Sequence, residues 1–95
     1  MTDKEIVNRI AGHVGFDTRS TWYVGIAADA EDCLFSRHGV DKINGNWIWQ
    51  RALNSAHARS AETLLLNAGF SGGPGGGDES TVCVYAYKKT PQTRD

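Results

Sequence analysis

Glu62 is the residue of this 95-residue chain whose type and position first suggest chemistry. It lies four residues from both Ala58 and Leu66, at the margin of the apolar stripe of a predicted helix. A carboxylate at such a margin either faces a cleft or stays in solvent, paired with Arg59 for a gain of about 0.2–0.5 kcal/mol. The pattern alone favours the solvated pair, and the cleft stays open as the alternative.

Aromatic residues offer a second candidate site, on a predicted strand over residues 47–51. Trp47, Trp49 and Arg51 share one face of that strand, because side chains alternate along an extended chain. Such a face suits stacking of nucleotide bases beside a cation. The chain has few other large residues to fill a core, so core packing is the favoured interpretation.

The glycine-rich stretch from Gly72 to Gly77 invites comparison with a phosphate-binding loop. A P-loop follows a strand, ends in Gly-Lys-Ser/Thr and opens a helix. Here the stretch follows a predicted helix, precedes a strand and continues into Asp78 and Glu79, which would repel an anion. The sequence therefore favours a flexible connector.

Cysteine and histidine residues are scattered in this chain, with no pair at the spacing of metal ligands. Two cysteines, Cys33 and Cys83, make no disulfide framework. A nucleophilic pair of Cys33 and His38 is disfavoured, because residues five apart lie on different sides of a helix. We expect these residues to be surface or partly buried side chains.

Composition indicates one small domain, with ten basic and eleven acidic residues and a net charge of −1. That balance is not the basic footprint typical of a polyanion-binding protein. No apolar run approaches the ~20 residues of a membrane helix, and the first residues lack a secretory signal. We therefore expect a cytoplasmic protein without a membrane partner, with one domain over residues 1–89 and a mobile tail over residues 90–95.

Hydrophobic periodicity predicts alternating helices and strands. A capping box from Thr2 to Glu5 opens a first helix, and Asp29 caps a second helix that ends at His38. The predicted order is a helix over about 3–13, a strand over 21–27, the Asp29-capped helix, a strand over 47–51, a helix from Asn54 or Ser55 to about 68, and a strand over 82–87. The fold class is α/β (α+β): a three-stranded antiparallel sheet flanked by three helices.

The segment Tyr23-Val24-Gly25 ends a predicted strand and precedes a short helix ending at His38, and Glu62 lies on a later helix. Over roughly residues 21–69, this order resembles the GIY-YIG nuclease superfamily. In that family a Tyr-Ile-Gly strand precedes such a helix, and a later helix carries a single metal-binding glutamate. The resemblance implies a GIY-YIG-like fold and assigns the metal-binding position to Glu62.

Two departures from the family pattern bear on function. The family opens with a Gly-Ile-Tyr strand where this chain has a helix, and the closing strand with Tyr85 and Tyr87 would fill that place in a permuted arrangement. The family's helix arginine would align at Asp32 or Cys33, neither of which stabilises charge developing on a phosphate. Arg37, a turn later, is the nearest substitute.

The resemblance therefore implies a binding module that has lost part of its catalytic set. Its partner would be a nucleic acid or a protein, as for small accessory or inhibitory proteins of phages and mobile elements. The alternative is a Mg²⁺- or Mn²⁺-dependent endonuclease, in which Glu62 holds the metal, Tyr23 helps to activate water, and Arg37 or Arg51 clamps the phosphate. The predicted binding residues are Gly25, His38, Trp47, Trp49, Arg51, Arg59, Tyr85 and Tyr87.

Overall fold

The computed structural model describes residues 1–73 and 77–95, which form two α-helices, three strands and two short helical turns. In chain order these are α1 (Asp3–Val14), a 3-10 turn (Arg19–Thr21), β1 (Trp22–Ala27), a π-helical turn (Asp32–Arg37), β2 (Trp47–Arg51), α2 (Ser55–Asn67) and β3 (Cys83–Lys88). The predicted class, an α+β domain with three helical segments and three strands, is confirmed. Within the described ranges no helix has the length and apolar character needed to span a membrane.

Helix α1 begins at the predicted capping box. The Thr2 hydroxyl accepts a hydrogen bond from the Glu5 amide at 3.2 Å, and the Glu5 carboxylate accepts one from the Thr2 amide at 3.0 Å. The helix continues through Gly12 and ends before Gly15, whose φ of 62° is the left-handed conformation that glycine adopts readily. Helix α2 is capped by Asn54, whose side chain accepts from the His57 amide at 2.9 Å.

The strand nearest the end of the chain is the central strand of the sheet. The strand order is β1-β3-β2, and β3 runs antiparallel to both neighbours. Tyr23 of β1 and Trp47 of β2 both lie opposite Tyr87, while Gly25 and Trp49 lie opposite Tyr85. The predicted antiparallel sheet is therefore confirmed, and its central strand is the last one in sequence.

The main core lies between one face of the sheet and helices α1 and α2. Alternation along the strands directs Trp22, Val24, Val84 and Ala86 to this face. The two helices cover these side chains with the apolar stripes predicted from their periodicity. The helix residues buried in this core are Ile6, Ile10, Val14, Ala58, Ala61 and Leu65.

The opposite face of the sheet carries a second, aromatic core. Tyr85 and Tyr87 are buried on this face, and Tyr23, Trp47 and Trp49 pack against them. The π-helical turn and the residues after it cover this face, with Leu34 and Val40 buried beneath them. The sheet thus separates an aliphatic layer from a layer rich in tyrosine and tryptophan.

The glycine-rich stretch begins as an extension of the sheet. Ser71 accepts a hydrogen bond from the Val24 amide at 2.8 Å and donates its own amide to the Trp22 carbonyl at 2.9 Å. Gly72 then passes so close to β1 that a Cβ atom there would lie 2.6 Å from the Val24 carbonyl oxygen. The connector predicted for this stretch lies partly outside the described residues, since positions 74–76 are not among them.

Candidate functional site

Four side chains, Tyr23, His38, Tyr85 and Tyr87, meet on the aromatic face of the sheet, and we call them the tyrosine–histidine cluster. The rings of Tyr23 and Tyr87 stack with centroids 5.3 Å apart and planes inclined by 27°. The His38 ring lies 5.0 Å from Tyr23, 4.9 Å from Tyr87 and 5.5 Å from Tyr85. All four are among the site residues predicted from the sequence, and the structure brings them together.

The strand register places the three tyrosines of the cluster. Tyr23 lies directly opposite Tyr87, so their rings can stack across the β1–β3 ladder. Tyr85 lies opposite Gly25, and its ring crosses the space that a side chain at Gly25 would fill. The glycine of Tyr23-Val24-Gly25 is therefore required by the close approach of an aromatic ring.

The π-helical turn places His38. Asp29 caps it by accepting from the Asp32 amide at 3.1 Å, as predicted, and the His38 amide donates to the Cys33 carbonyl at 2.9 Å. A hydrogen bond that spans five residues makes a wider turn than an α-helix. The His38 ring faces the tyrosines, while the side chain of the preceding Arg37 is 73% exposed.

Hydrogen bonds link the His38 ring to two tyrosines and to residues near the end of the chain. His38 Nε2 lies 2.8 Å from the Tyr85 hydroxyl, and Nδ1 lies 3.1 Å from the Tyr87 hydroxyl and 2.5 Å from the Arg94 carbonyl oxygen. The Tyr87 hydroxyl also donates to the Asp95 carboxylate at 3.0 Å. Within the described part of the chain, the Tyr23 hydroxyl has no hydrogen-bond partner.

Burial raises the pKa of the phenols of Tyr85 and Tyr87 well above the ordinary tyrosine value, because it penalises the charged form. The next causes are Cys33 and Tyr23 for Tyr85, and the hydrogen bond to Asp95 for Tyr87. Both phenols are therefore neutral near pH 7 and keep a proton to donate.

Glu62 is buried, with 4% of its surface exposed, so the favoured prediction of a solvated residue paired with Arg59 is wrong. Its negative charge contributes to the raised pKa of Tyr85, so the carboxylate lies within electrostatic range of the tyrosine–histidine cluster. The Arg59 guanidinium instead donates to the Gly77 carbonyl at 2.8 Å. Helical periodicity places Glu62 at the edge of the apolar stripe of α2, but it does not show which residues cover that edge.

The three arginines named from the sequence lie apart from one another. Arg37 is paired with Asp32 at 3.3 Å on the solvent side of the π-helical turn, and its charge acts on Tyr85. Arg51 is exposed at the end of β2, and Arg59 is exposed on α2, which covers the other face of the sheet. Of these three arginines, Arg37 is the one whose charge acts on a residue of the cluster.

The tryptophans of β2 extend the aromatic core. Trp47 and Trp49 are both half-buried and pack against the second core. The Trp47 ring meets Phe35 edge-on at 5.0 Å, and its indole nitrogen donates to the Lys42 carbonyl at 3.1 Å. These contacts favour core packing over an open stacking platform for Trp47.

Cys33 lies on the π-helical turn, half-buried beside the second core. Burial raises the pKa of its thiol, which keeps it protonated near pH 7 and unreactive as a nucleophile. The nitrogens of the His38 ring are bonded to tyrosines and to Arg94. The prediction that Cys33 and His38 do not act as a catalytic pair stays a prediction.

A metal ion is implied at Glu62 by the resemblance to the nucleases. In the described ranges, no three histidine, cysteine or acidic side chains are grouped so that they could hold a metal ion. Mg²⁺ is commonly bound by one or two carboxylates together with water and substrate phosphate oxygens. The residue that would hold such an ion is Glu62, whose carboxylate is buried.

Arg94 and Asp95 contact the cluster and were not predicted from the sequence. Their contacts with His38 and Tyr87 join positions 56 and 8 residues apart in the chain. They belong to a polar tail predicted to be mobile, and the tail has neither the periodicity nor the capping pattern that would reveal a docked segment. Its mobility stays a prediction, whereas its contacts with the cluster are part of the structure.

Substituting Gly25 tests whether the position of the Tyr85 ring requires that residue 25 has no side chain. A Cβ atom at Gly25 would lie only 2.5 Å from Cζ of Tyr85, so we expect Gly25→Ala to lower the free energy of unfolding by about 1–3 kcal/mol. Gly12→Ala is the matched control, because that position in α1 has no atom within 4 Å and alanine favours helix by about 0.5–1 kcal/mol. Urea denaturation measures both, and equal effects of the two variants would contradict the packing described for Tyr85.

Comparison of the chain with protein-family models, curated proteins and solved structures gives no match. The resemblance to GIY-YIG nucleases is one of sequence pattern and stays a prediction.

Proposed function

We propose that this domain binds DNA through the phosphate backbone at the tyrosine–histidine cluster, as a GIY-YIG-like module that does not cleave its ligand. The observation that carries the proposal is the stacking of Tyr23 on Tyr87 beside His38. Tyr23 and His38 come from the strand and helix in which the resemblance was found, and Tyr87 comes from the closing strand of the permutation hypothesis. Their convergence on one face supports a common site.

The strand order supports the permuted relationship to the nucleases. The closing strand β3 pairs directly with β1, so Tyr85 and Tyr87 lie beside Tyr23, as the permutation hypothesis requires. If β3 lay at an edge of the sheet away from β1, the permutation hypothesis would be excluded.

The chemistry of the cluster suits a phosphate group. The Tyr23 hydroxyl is a donor that no described residue occupies, and neutral phenols do not repel an anion. Arg37 lies beside the cluster with an exposed guanidinium, the group that binds phosphate in two parallel hydrogen bonds. The net charge of −1 means that this local cation, rather than a general basic surface, must attract the backbone.

Binding without cleavage is favoured because the resemblance aligns no arginine of this chain with the helix arginine of the family. Asp32 and Cys33 stand at the matching positions, and Asp32 is itself paired with Arg37 at 3.3 Å. A cation shared with a carboxylate and open to solvent stabilises developing charge less than a buried, unshared one.

The test is binding of a fluorescently labelled DNA duplex, measured by anisotropy over a range of salt concentrations. We expect affinity to fall with salt, and Arg37→Gln to weaken binding and reduce the salt slope by about 1. Tyr23→Phe should weaken binding about tenfold, the value of one hydrogen bond to a charged group.

Arg9→Gln is the control for charge, because Arg9 is exposed on α1, across the sheet from the cluster. It should leave the salt slope unchanged. Absence of binding at low salt, or an equal loss in Arg9→Gln and Arg37→Gln, would contradict the proposal. Absence of binding would also leave the protein-partner hypothesis as the one to pursue.

A second candidate function, metal-dependent cleavage of DNA, is favoured by the buried position of Glu62 near Tyr85. A Mg²⁺ or Mn²⁺ ion bound there would polarise a phosphodiester and neutralise charge that develops during its cleavage. In this candidate function Glu62 would hold the ion, Tyr23 would help to activate water, and Arg37 would clamp the phosphate.

Supercoiled plasmid incubated with the protein and Mg²⁺ or Mn²⁺ separates the two functions. Our proposal expects no nicking above that of a metal-only control. Nicking that is lost in Glu62→Gln, and kept in the variant Glu79→Gln at an exposed glutamate, would replace the binding proposal with an endonuclease.

A further inference from the structure

We propose that Arg94 is a positioning residue of the tyrosine–histidine cluster, and that its backbone carbonyl fixes His38 in the tautomer with the proton on Nδ1. The C-terminal segment would then set which atoms of the site donate and which accept hydrogen bonds. This assignment of the tautomer stands without the proposed function, whereas its consequence for a phosphate ligand rests on that function.

The tautomer follows from the partners of the two ring nitrogens. The Arg94 carbonyl oxygen, 2.5 Å from Nδ1, can only accept a hydrogen bond, so Nδ1 must carry the proton. The Tyr87 hydroxyl, 3.1 Å from Nδ1, directs its own proton to the Asp95 carboxylate and does not compete as a donor to Nδ1. In a neutral ring Nε2 then has no proton and accepts one from the Tyr85 hydroxyl at 2.8 Å. Tyr85 keeps its proton to donate, because burial raises the pKa of its phenol.

Two further hydrogen bonds hold Arg94 against the residues that precede and include His38. The Arg94 amide donates to the His38 carbonyl at 2.7 Å, and the Arg94 guanidinium donates to the Ser36 carbonyl at 3.3 Å. These carbonyls lie at the end of the π-helical turn, where helical partners are lacking. Arg94 therefore caps the turn through its amide and side chain while its carbonyl orients the His38 ring.

A short turn presents Arg94 in this position. The Thr93 amide donates to the Thr90 carbonyl at 3.1 Å, and the Thr93 hydroxyl accepts from the Thr90 amide at 2.9 Å. The segment is thus organised by its own hydrogen bonds before it reaches His38.

Among the described residues, this network leaves the Tyr23 hydroxyl without a protein partner and leaves the Tyr85 oxygen able to accept a hydrogen bond. Tyr85 directs its proton to His38 and Tyr87 directs its proton to Asp95. The Tyr23 hydroxyl remains to donate to a phosphate oxygen, and the Tyr85 oxygen can accept from a water molecule or a ligand hydroxyl. If the opposite tautomer were present, Nε2 would donate to Tyr85 and reverse the direction of that hydrogen bond.

The tautomer is measured directly by ¹⁵N NMR of the histidine ring in the full chain, in mildly alkaline buffer where free histidine is neutral. We expect the His38 Nδ1 resonance at the position of a protonated nitrogen and the Nε2 resonance at that of an unprotonated one. Nδ1 found without its proton in the unmodified protein would overturn the proposal, whatever the ligand is.

Two variants test whether Arg94 fixes the tautomer of His38. Arg94→Pro removes the amide that anchors the segment, and we expect both ring resonances to move toward the intermediate positions of exchanging tautomers. Arg94→Ala keeps the amide and the carbonyl, and should retain the protonated Nδ1 signal. An unchanged spectrum in Arg94→Pro would show that the segment does not set the tautomer. Well-dispersed amide signals from β1 and β3 establish that each variant is folded.

DNA binding in the same variants separates this inference from the proposed function. If the protein binds DNA, Arg94→Pro should weaken binding more than Arg94→Ala. If the unmodified protein shows the expected tautomer but binds no DNA, the proposed function fails while the positioning role of Arg94 stands.

Discussion

The pairing of β3 between β1 and β2 is the constraint on which the rest of this structure depends. Side chains alternate along a strand, so this one pairing sends Val84 and Ala86 to the aliphatic core and Tyr85 and Tyr87 to the opposite face. A shift of register by one residue would exchange the two sets and place tyrosines beneath the helices. The tyrosine-rich face and the aliphatic core therefore both follow from the register of β3.

The cluster on that face is completed by elements whose local geometry is unusual. Gly25 lets the Tyr85 ring lie flat across β1, and the wide π-helical turn brings His38 over the ring. Arg94 then forms hydrogen bonds with the end of the turn, through its amide, and with Nδ1 of the imidazole, through its carbonyl. The π-helical turn is thus the irregular helical element that adjoins the residues proposed to meet the ligand.

Sequence reasoning succeeded where the determining interactions are local. The capping box at Thr2 and the alternation of β3 predicted elements that the structure contains within one or two residues. Strand order, the burial of Glu62 and the contacts of Arg94 depend on residues distant in the chain, which a periodicity does not reveal. The π-helical turn was missed for another reason: its caps and charges are those of an α-helix, and the aromatic face beneath it is not visible from the turn's own sequence.

We propose that DNA binds this domain at the tyrosine–histidine cluster. Amide chemical shifts of the ¹⁵N-labelled protein, followed during titration with a short DNA duplex at low salt, test that proposal most directly. We expect the largest changes at Tyr23, Gly25, Arg37 and His38, on the aromatic side of the sheet. Changes concentrated on α1, which covers the opposite face, or no changes at saturating DNA, would contradict it.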